Sequence, residues 1–364
     1  MMPRWIAAAL LAAAVVAHAG IITQSGGKCF DCTSGGGDPG GDLTHGSTAS
    51  ISGTGFDAVA SPVYIYDDFS VGTDGDQVFG GTTSFTGEWG SLDGAEARVY
   101  YDDSVTRGVH SQTAFHNMTV ATGGNVAGIG KELTSPYYTG KWYIDWWCRV
   151  EPVSPISDWT RSYKVFRFYG TDGFGDNFTH NFTKKNVSQF HTWLGAPGID
   201  TPNQTSGEWV HYRLRFNIDP SNVIANDYIN YTIATNGTAF ALGYEGGWRD
   251  SGHSTVRPRE LNLGNYWASD ADPAYPTPGT VGANSGARIH TSSIYVANSW
   301  ARVELCNNAT YASATICEIQ PTNSRTNTAI TYTVNKGLLS SGTVYEKVFD
   351  TDNNEVKSTA RTLN

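Results

Sequence analysis

The chain has 364 residues, of which 16% are charged and 12% aromatic, with 11 Trp, 19 Tyr and 41 Gly. A formal net charge of −10 argues against nucleic acid as a partner, while leaving room for a local basic patch that receives an anionic ligand. After the first residues no run approaches the about 18 continuous apolar residues that membrane insertion needs, so none is expected.

Residues 1–19 read as a signal peptide. Arg4 supplies the positive start, Ile6 to Val16 the short apolar run, and Ala17 to Gly20 a small-residue cleavage site, so a secreted, extracellular protein is expected. Residues 20–41 are rich in Gly, Asp and Ser and read as a flexible leader. "HGSTASISGTGF" at 45–56 turns and alternates like a hairpin, and "PVYIYDDF" follows at 62–69. From Arg98 onward short strands recur between turn signals without helical periods, which predicts an all-β sandwich or barrel.

Four central segments show their faces by strand alternation. Over 141–150, Trp142, Ile144, Trp146, Cys148 and Val150 share the apolar side, opposite Lys141, Tyr143, Asp145, Trp147 and Arg149. Over 163–169, Lys164, Phe166 and Phe168 oppose Tyr163, Val165, Arg167 and Tyr169. Over 187–194, Phe190, Thr192 and Leu194 oppose Gln189, His191 and Trp193. Over 209–217, Val210, Tyr212, Leu214 and Phe216 oppose Trp209, His211, Arg213, Arg215 and Asn217. If the four share a sheet, their second faces converge on a basic, aromatic surface.

Among the five cysteines, Cys306 and Cys317 bracket a short polar loop and are the expected disulfide. Cys29 and Cys32 suggest a small local disulfide, and Cys148 a buried thiol. Asn117, Asn177, Asn181, Asn186, Asn203, Asn230, Asn236 and Asn308 stand in glycosylation sequons and mark candidate surface positions.

"HGSTASISGTGF" resembles the opening strands of an IPT/TIG-type immunoglobulin-like domain. "ARVELC" at 301–306, "TAITYTVNKG" at 328–337 and "VYEKVFDTDNNEV" at 344–356 also look immunoglobulin-like. The resemblance implies one discontinuous immunoglobulin-like sandwich, residues 42–57 plus 301–364. The intervening 62–300, with "KWYIDWW", "SYKVFRFYG", "GEWVHYRLRFN" and "ARIHTSSIYV", resembles the concanavalin A-like jelly rolls of polysaccharide lyases and lectin-like modules. "QFH" at 189–191 is similar to the Q-[IV]-H strand of alginate-lyase-like proteins, although their R-x-E-L-R and Tyr-Lys strands have no counterpart here.

A β-eliminating lyase must neutralise a uronate carboxylate, remove the C5 proton and protonate the leaving oxygen. The resemblance implies Gln189 and an arginine, Arg213, as carboxylate binders, His191 as base, and Tyr169 or Tyr143 as acid. Tyr143, Trp147, Arg167, Trp193, Trp209, His211 and Arg215 would line the substrate, the tryptophans by stacking on sugar rings. A retaining glucanase would need two carboxylates about 5–5.5 Å apart, and no single strand carries acids spaced for that. Asp67 and Asp68 are candidate ligands for a structural calcium, and no cofactor is required. No G-x-S-x-G elbow or H-E-x-x-H helix occurs. The expected role is binding of extracellular polysaccharide, with lyase action on a uronate polymer. A structural or adhesive surface protein is the second class.

Overall fold

In the computed structural model the apolar positions of the longest described strand, Gly140–Pro152, enter one core: Trp142, Ile144, Trp146, Cys148 and Val150 pack together inside a two-sheet sandwich. The residues described are 41–59, 63–78, 83, 89–93, 99–117, 128–132, 139–152, 163–170, 178–183, 187–191, 199–200, 207–235, 237–247, 249, 252, 254–263 and 287–364. The expected signal peptide, nearly all of the leader, Cys29, Cys32 and Trp193 lie outside them.

In chain order the strands begin with β1 (Thr48–Ser52), β2 (Val63–Asp67), β3 (Ser91–Asp93), β4 (Val99–Asp102), β5 (Thr113–Asn117), β6 (Gly128–Glu132) and β7 (Gly140–Pro152). They continue with β8 (Tyr163–Gly170), β9 (Phe178–Thr183), β10 (Val187–His191), β11 (Ile199–Asp200), β12 (Trp209–Ile218), β13 (Tyr228–Ala234) and β14 (Ala241–Gly246). The last are β15 (Pro258–Leu263), β16 (Ala287–Ala297), β17 (Arg302–Cys306), β18 (Cys317–Gln320), β19 (Thr322–Arg325), β20 (Ala329–Thr333), β21 (Gly342–Phe349) and β22 (Glu355–Leu363). Among the described residues two complete 3-10 turns occur, Ile224–Asn226 and Tyr311–Ser313, and no helix is long and apolar enough to cross a membrane.

Two sheets form the larger sandwich. Sheet I has eight strands in the order β14-β13-β12-β7-β16-β5-β4, with β2 also paired to β16. Sheet II has seven, ordered β11-β10-β9-β8-β15-β6-β3. Phe168, Leu261 and Leu263 of sheet II meet Trp142, Trp146, Tyr212 and Leu214 of sheet I in the shared core. The expected single sheet therefore divides, with β7 and β12 in sheet I and β8 and β10 in sheet II.

The smaller sandwich pairs a three-stranded sheet, β1-β20-β19, with a four-stranded one, β18-β17-β21-β22. Its core joins Leu43, Ile51 and Phe56 to Val303, Leu305, Ile330, Val348 and Leu363. A disulfide joins Cys306 and Cys317, opposed residues of β17 and β18, and Cys148 is a free buried thiol.

The smaller sandwich rests on the side of sheet I turned away from the core, where Tyr66, Tyr143, Tyr295 and Ala297 pack against Ile319 of β18. Gly108 fits this junction only because it lacks a side chain. Its φ is +59, and a Cβ there would lie 2.0 Å from the carbonyl oxygen of Gly337.

Candidate functional site

The outer face of β7 and β12 is the basic, aromatic surface expected from alternation, and the smaller sandwich covers much of it. Arg213 stands opposite Asp145 in the β12–β7 ladder and donates from Nε to Asp145 Oδ2 at 3.1 Å. Its Nη2 reaches Glu304 Oε2 at 2.7 Å and its Nη1 the Tyr311 hydroxyl at 2.5 Å, both in the smaller sandwich. His211 Nε2 lies 2.7 Å from Asp145 Oδ1. Arg302 donates to Glu304 Oε1 at 2.5 Å and lies over the Tyr143 ring at 4.4 Å. Arg107 lies over Trp147 at 4.6 Å and donates to Glu318 Oε1 at 2.6 Å, and His211 stacks on Trp147 at 4.1 Å.

Burial would push the Asp145 carboxyl up; His211 and the Arg213 guanidinium overcome it and hold Asp145 below the usual carboxylate range. Burial would likewise raise Glu304, and Arg213 and Arg302 hold it down. Burial pulls His211 below its ordinary value against the opposing pull of Asp145.

This corrects the expectation of a substrate groove here. Arg213, His211, Tyr143 and Trp147 are all buried: Arg213 and Tyr143 meet Glu304, Tyr311 and Arg302 of the smaller sandwich, while His211 and Trp147 pack within the larger one on Asp145, Phe240 and Arg107. Trp209 is half-buried, its indole N–H donating to the Thr106 carbonyl at 3.2 Å. Arg215 lies at the edge of the junction and lines a cleft there.

Sheet II holds a second polar face. Phe168 and Leu261 point into the core, so their neighbours Arg167 and Asn262 occupy the opposite side, where both are nonetheless buried. Arg167 is register-matched to Asn262 on β15 and to Thr179 on β9, and Thr179 is matched in turn to His191 on β10. Opposed positions of an antiparallel ladder share a face, so these four form one row about 14 Å long at ~4.8 Å per strand. Gln189 occupies the next row with Asn181 and Lys164, and Tyr169 is matched to Glu260. A bulge between Lys164 and Phe166 moves Lys164 out of the phenylalanine rows, against the plain alternation read from the sequence.

Asn262 was missed in the sequence reading. It is 0% exposed, and neither side-chain atom has a hydrogen-bond partner. The alternation of Leu261 and Leu263 around it was the available signal. Glu132 and Glu260 were also missed; they are directly opposed between β6 and β15, on different strands, where spacing within one strand cannot reveal them.

Asp67 accepts from the Phe69 N–H at 2.8 Å and from Trp89 Nε1 at 2.9 Å, and Asp68 from the Ser70 N–H at 3.0 Å. Neither belongs to a described cluster of three or more ligating side chains. Such clusters are Asp74 with Asp102 and Asp103, and Glu304 with the disulfide-bonded Cys306 and Cys317.

Asp68, His110 and Ser293 fall in the order of a hydrolase triad, with 3.4 Å from Asp68 Oδ2 to His110 Nδ1 and 3.4 Å from His110 Nε2 to Ser293 Oγ. Ser293 is 0% exposed and its oxygen accepts from Arg107 Nη2 at 2.5 Å, so the hydroxyl is occupied within the junction.

No family model matches the sequence, and no curated protein matches it. Among solved structures, a marine PL-14 alginate lyase from Aplysia kurodai is similar at a TM-score of 0.40 and 9% identity, over 55% of this chain and 86% of that one. The catalytic domain of a glycoside hydrolase family 131 protein from Coprinopsis cinerea gives 0.38 and 11%, over 61% and 94%. The binding domain of botulinum neurotoxin serotype G gives 0.36 and 10%, over 78% and 73%.

Proposed function

We propose that the protein is extracellular, binds a uronate-containing polysaccharide across the polar face of sheet II, and cleaves it by β-elimination. The observation that carries this reading is the row of His191, Thr179, Arg167 and Asn262, with the buried Asn262 amide unpaired. A guanidinium beside an unspent amide suits a carboxylate. In this reading Arg167, Asn262 and Gln189 hold the uronate carboxylate, and His191 takes the C5 proton. The electron pair left behind forms the C4–C5 double bond, the C4–O bond breaks, and the leaving oxygen takes a proton from Tyr169. Arg167 takes the place of Arg213 in this scheme because it stands in the sheet II row beside Asn262, whereas Arg213 belongs to sheet I. The extracellular setting rests on residues 1–20.

We further infer that the smaller sandwich is immunoglobulin-like. Its strand orders, β1-β20-β19 and β18-β17-β21-β22, support this, with the larger sandwich entering between β1 and β17.

Hydrolysis is the second reading, favoured by the opposed positions of Glu132 and Glu260. One experiment separates the two. The full chain is incubated with uronate and neutral polysaccharides while ultraviolet absorbance of the unsaturated product and new reducing ends are followed together. Elimination raises both on a uronate polymer, and His191→Ala lowers the rate about 100-fold or more. Reducing ends without absorbance, lost in Glu260→Gln, would turn the assignment to hydrolysis. Neither signal, with no retention on insoluble glycans, would reject both in favour of a structural surface protein.

A further inference from the structure

A cleft of about 260 Å³ opens at the edge of the junction, between the outer face of β12 and β13 and the smaller sandwich. Three arginines border it, and their counterions are unequal. Arg213 meets Asp145 and Glu304, and Arg302 meets Glu304. Arg215 meets no carboxylate among the described residues. Its Nη2 donates to Asn230 Oδ1 at 3.0 Å, directly across the β12–β13 ladder, and its guanidinium lies 5.7 Å from the Trp300 ring centre. Glu245, the acid one strand further on, accepts instead from the Tyr228 hydroxyl at 2.9 Å. The three lining arginines and the two carboxylates they pair with sum to one positive charge, and Glu245 does not line the cleft.

Burial and the adjacent Arg302 both disfavour the charge on Arg215. A half-buried cation without a counterion is costly, and an arriving anion relieves that cost. Beside the polar Asn230, Thr232 and Asn353 the cleft has apolar walls: Phe240 is half-buried with Arg213 over its ring at 3.7 Å, and Leu242 is 59% exposed. A bare inorganic anion would leave those walls unused. The volume lies below the about 300–1,000 Å³ of drug-sized pockets, which limits the ligand to about one ring.

We propose that this cleft binds a single-ring carboxylate, its carboxylate on Arg215 beside the Thr232 hydroxyl and its ring against Phe240 and Leu242. The site lies on the opposite side of the larger sandwich from the sheet II row and does not rest on the polysaccharide reading. A ring-borne carboxylate could belong to a sugar acid or to an apolar acid, and the test distinguishes them.

The full chain is titrated with glucuronate, benzoate and glucose by saturation-transfer NMR, with unfolding temperature followed in parallel. At least one carboxylate is expected to bind and glucose not to. Preference for glucuronate assigns a sugar acid and preference for benzoate an apolar one, and either supports the proposal. Arg215→Gln should weaken binding about tenfold or more. Asn230→Asp, which sets a carboxylate directly opposite Arg215, should abolish binding while the unfolding temperature holds or rises. Absence of binding by both acids, or binding that survives both substitutions, overturns the proposal.

Discussion

Arg213 shows what a single residue's chemistry does and does not reveal. Alternation placed it on a polar face beside His211 and Trp147, and that face exists. The sequence offered no sign that Glu304 and Tyr311, about ninety positions later, would close over it. Asn230 carries a related lesson: its sequon marks a surface position, yet the residue is only 6% exposed, with its Oδ1 accepting from Arg215. His116 supplies a prediction at the same scale. Burial depresses its pKa from 6.5 to about 3, and its Nε2 lies 3.1 Å from Thr291 Oγ1. A folded pKa below the unfolded one means that the unfolded chain binds more protons in between. The contribution is therefore present above pH 6.5 and lost progressively as pH falls toward about 3. His211 is shifted in the same direction. Urea denaturation should show stability falling from pH 6.5 to 4.5, before Asp145 and Glu304 come into play. His116→Gln should flatten that slope; an unchanged slope would remove His116 as its source.

Strands were legible and their partners were not. The polar and apolar sides of β7 and β12 were readable because alternation is a local property of extended backbone. Whether β8 and β10 join β7 and β12 depends on contacts between distant segments, and they instead build sheet II. The bulge in β8 defeats alternation even within one strand, since one extra residue exchanges the two faces beyond it. The β17–β18 hairpin was easier, because its cysteines are separated by 11 positions and lie opposite each other. Replacing both Cys306 and Cys317 by Ala should lower stability by about 2–3 kcal/mol, as expected for so short a closed loop. Guanidinium denaturation read at the far-ultraviolet sheet signal measures it, and a loss below about 0.5 kcal/mol would show that the ladder needs no cross-link.

At the scale of the whole molecule, apolar contacts around Ile319 and buried charge pairs join the two sandwiches. Buried ion pairs add little net stability against apolar alternatives, but they tolerate few geometries, so they favour one docking pose. The smaller sandwich also depends on residues that precede the larger one. Leu43, Ile51 and Phe56 are each no more than 1% exposed in its core. At about 1.5–3 kcal/mol apiece, their loss removes much of the ~5–15 kcal/mol that a domain holds. A chain lacking residues 1–57 should therefore be cut rapidly by protease within 301–364 while 63–300 resists; equal resistance of both parts would refute this dependence. The same arrangement bears on how the chain is made. Ser52 and its partner Lys357 are 305 positions apart, so β1 leaves the ribosome long before its neighbours exist. Its apolar side must wait, uncovered, while the larger sandwich assembles behind it. A product terminated before β20 leaves that strand edge unpaired, a mark by which quality control could tell an unfinished molecule from a complete one.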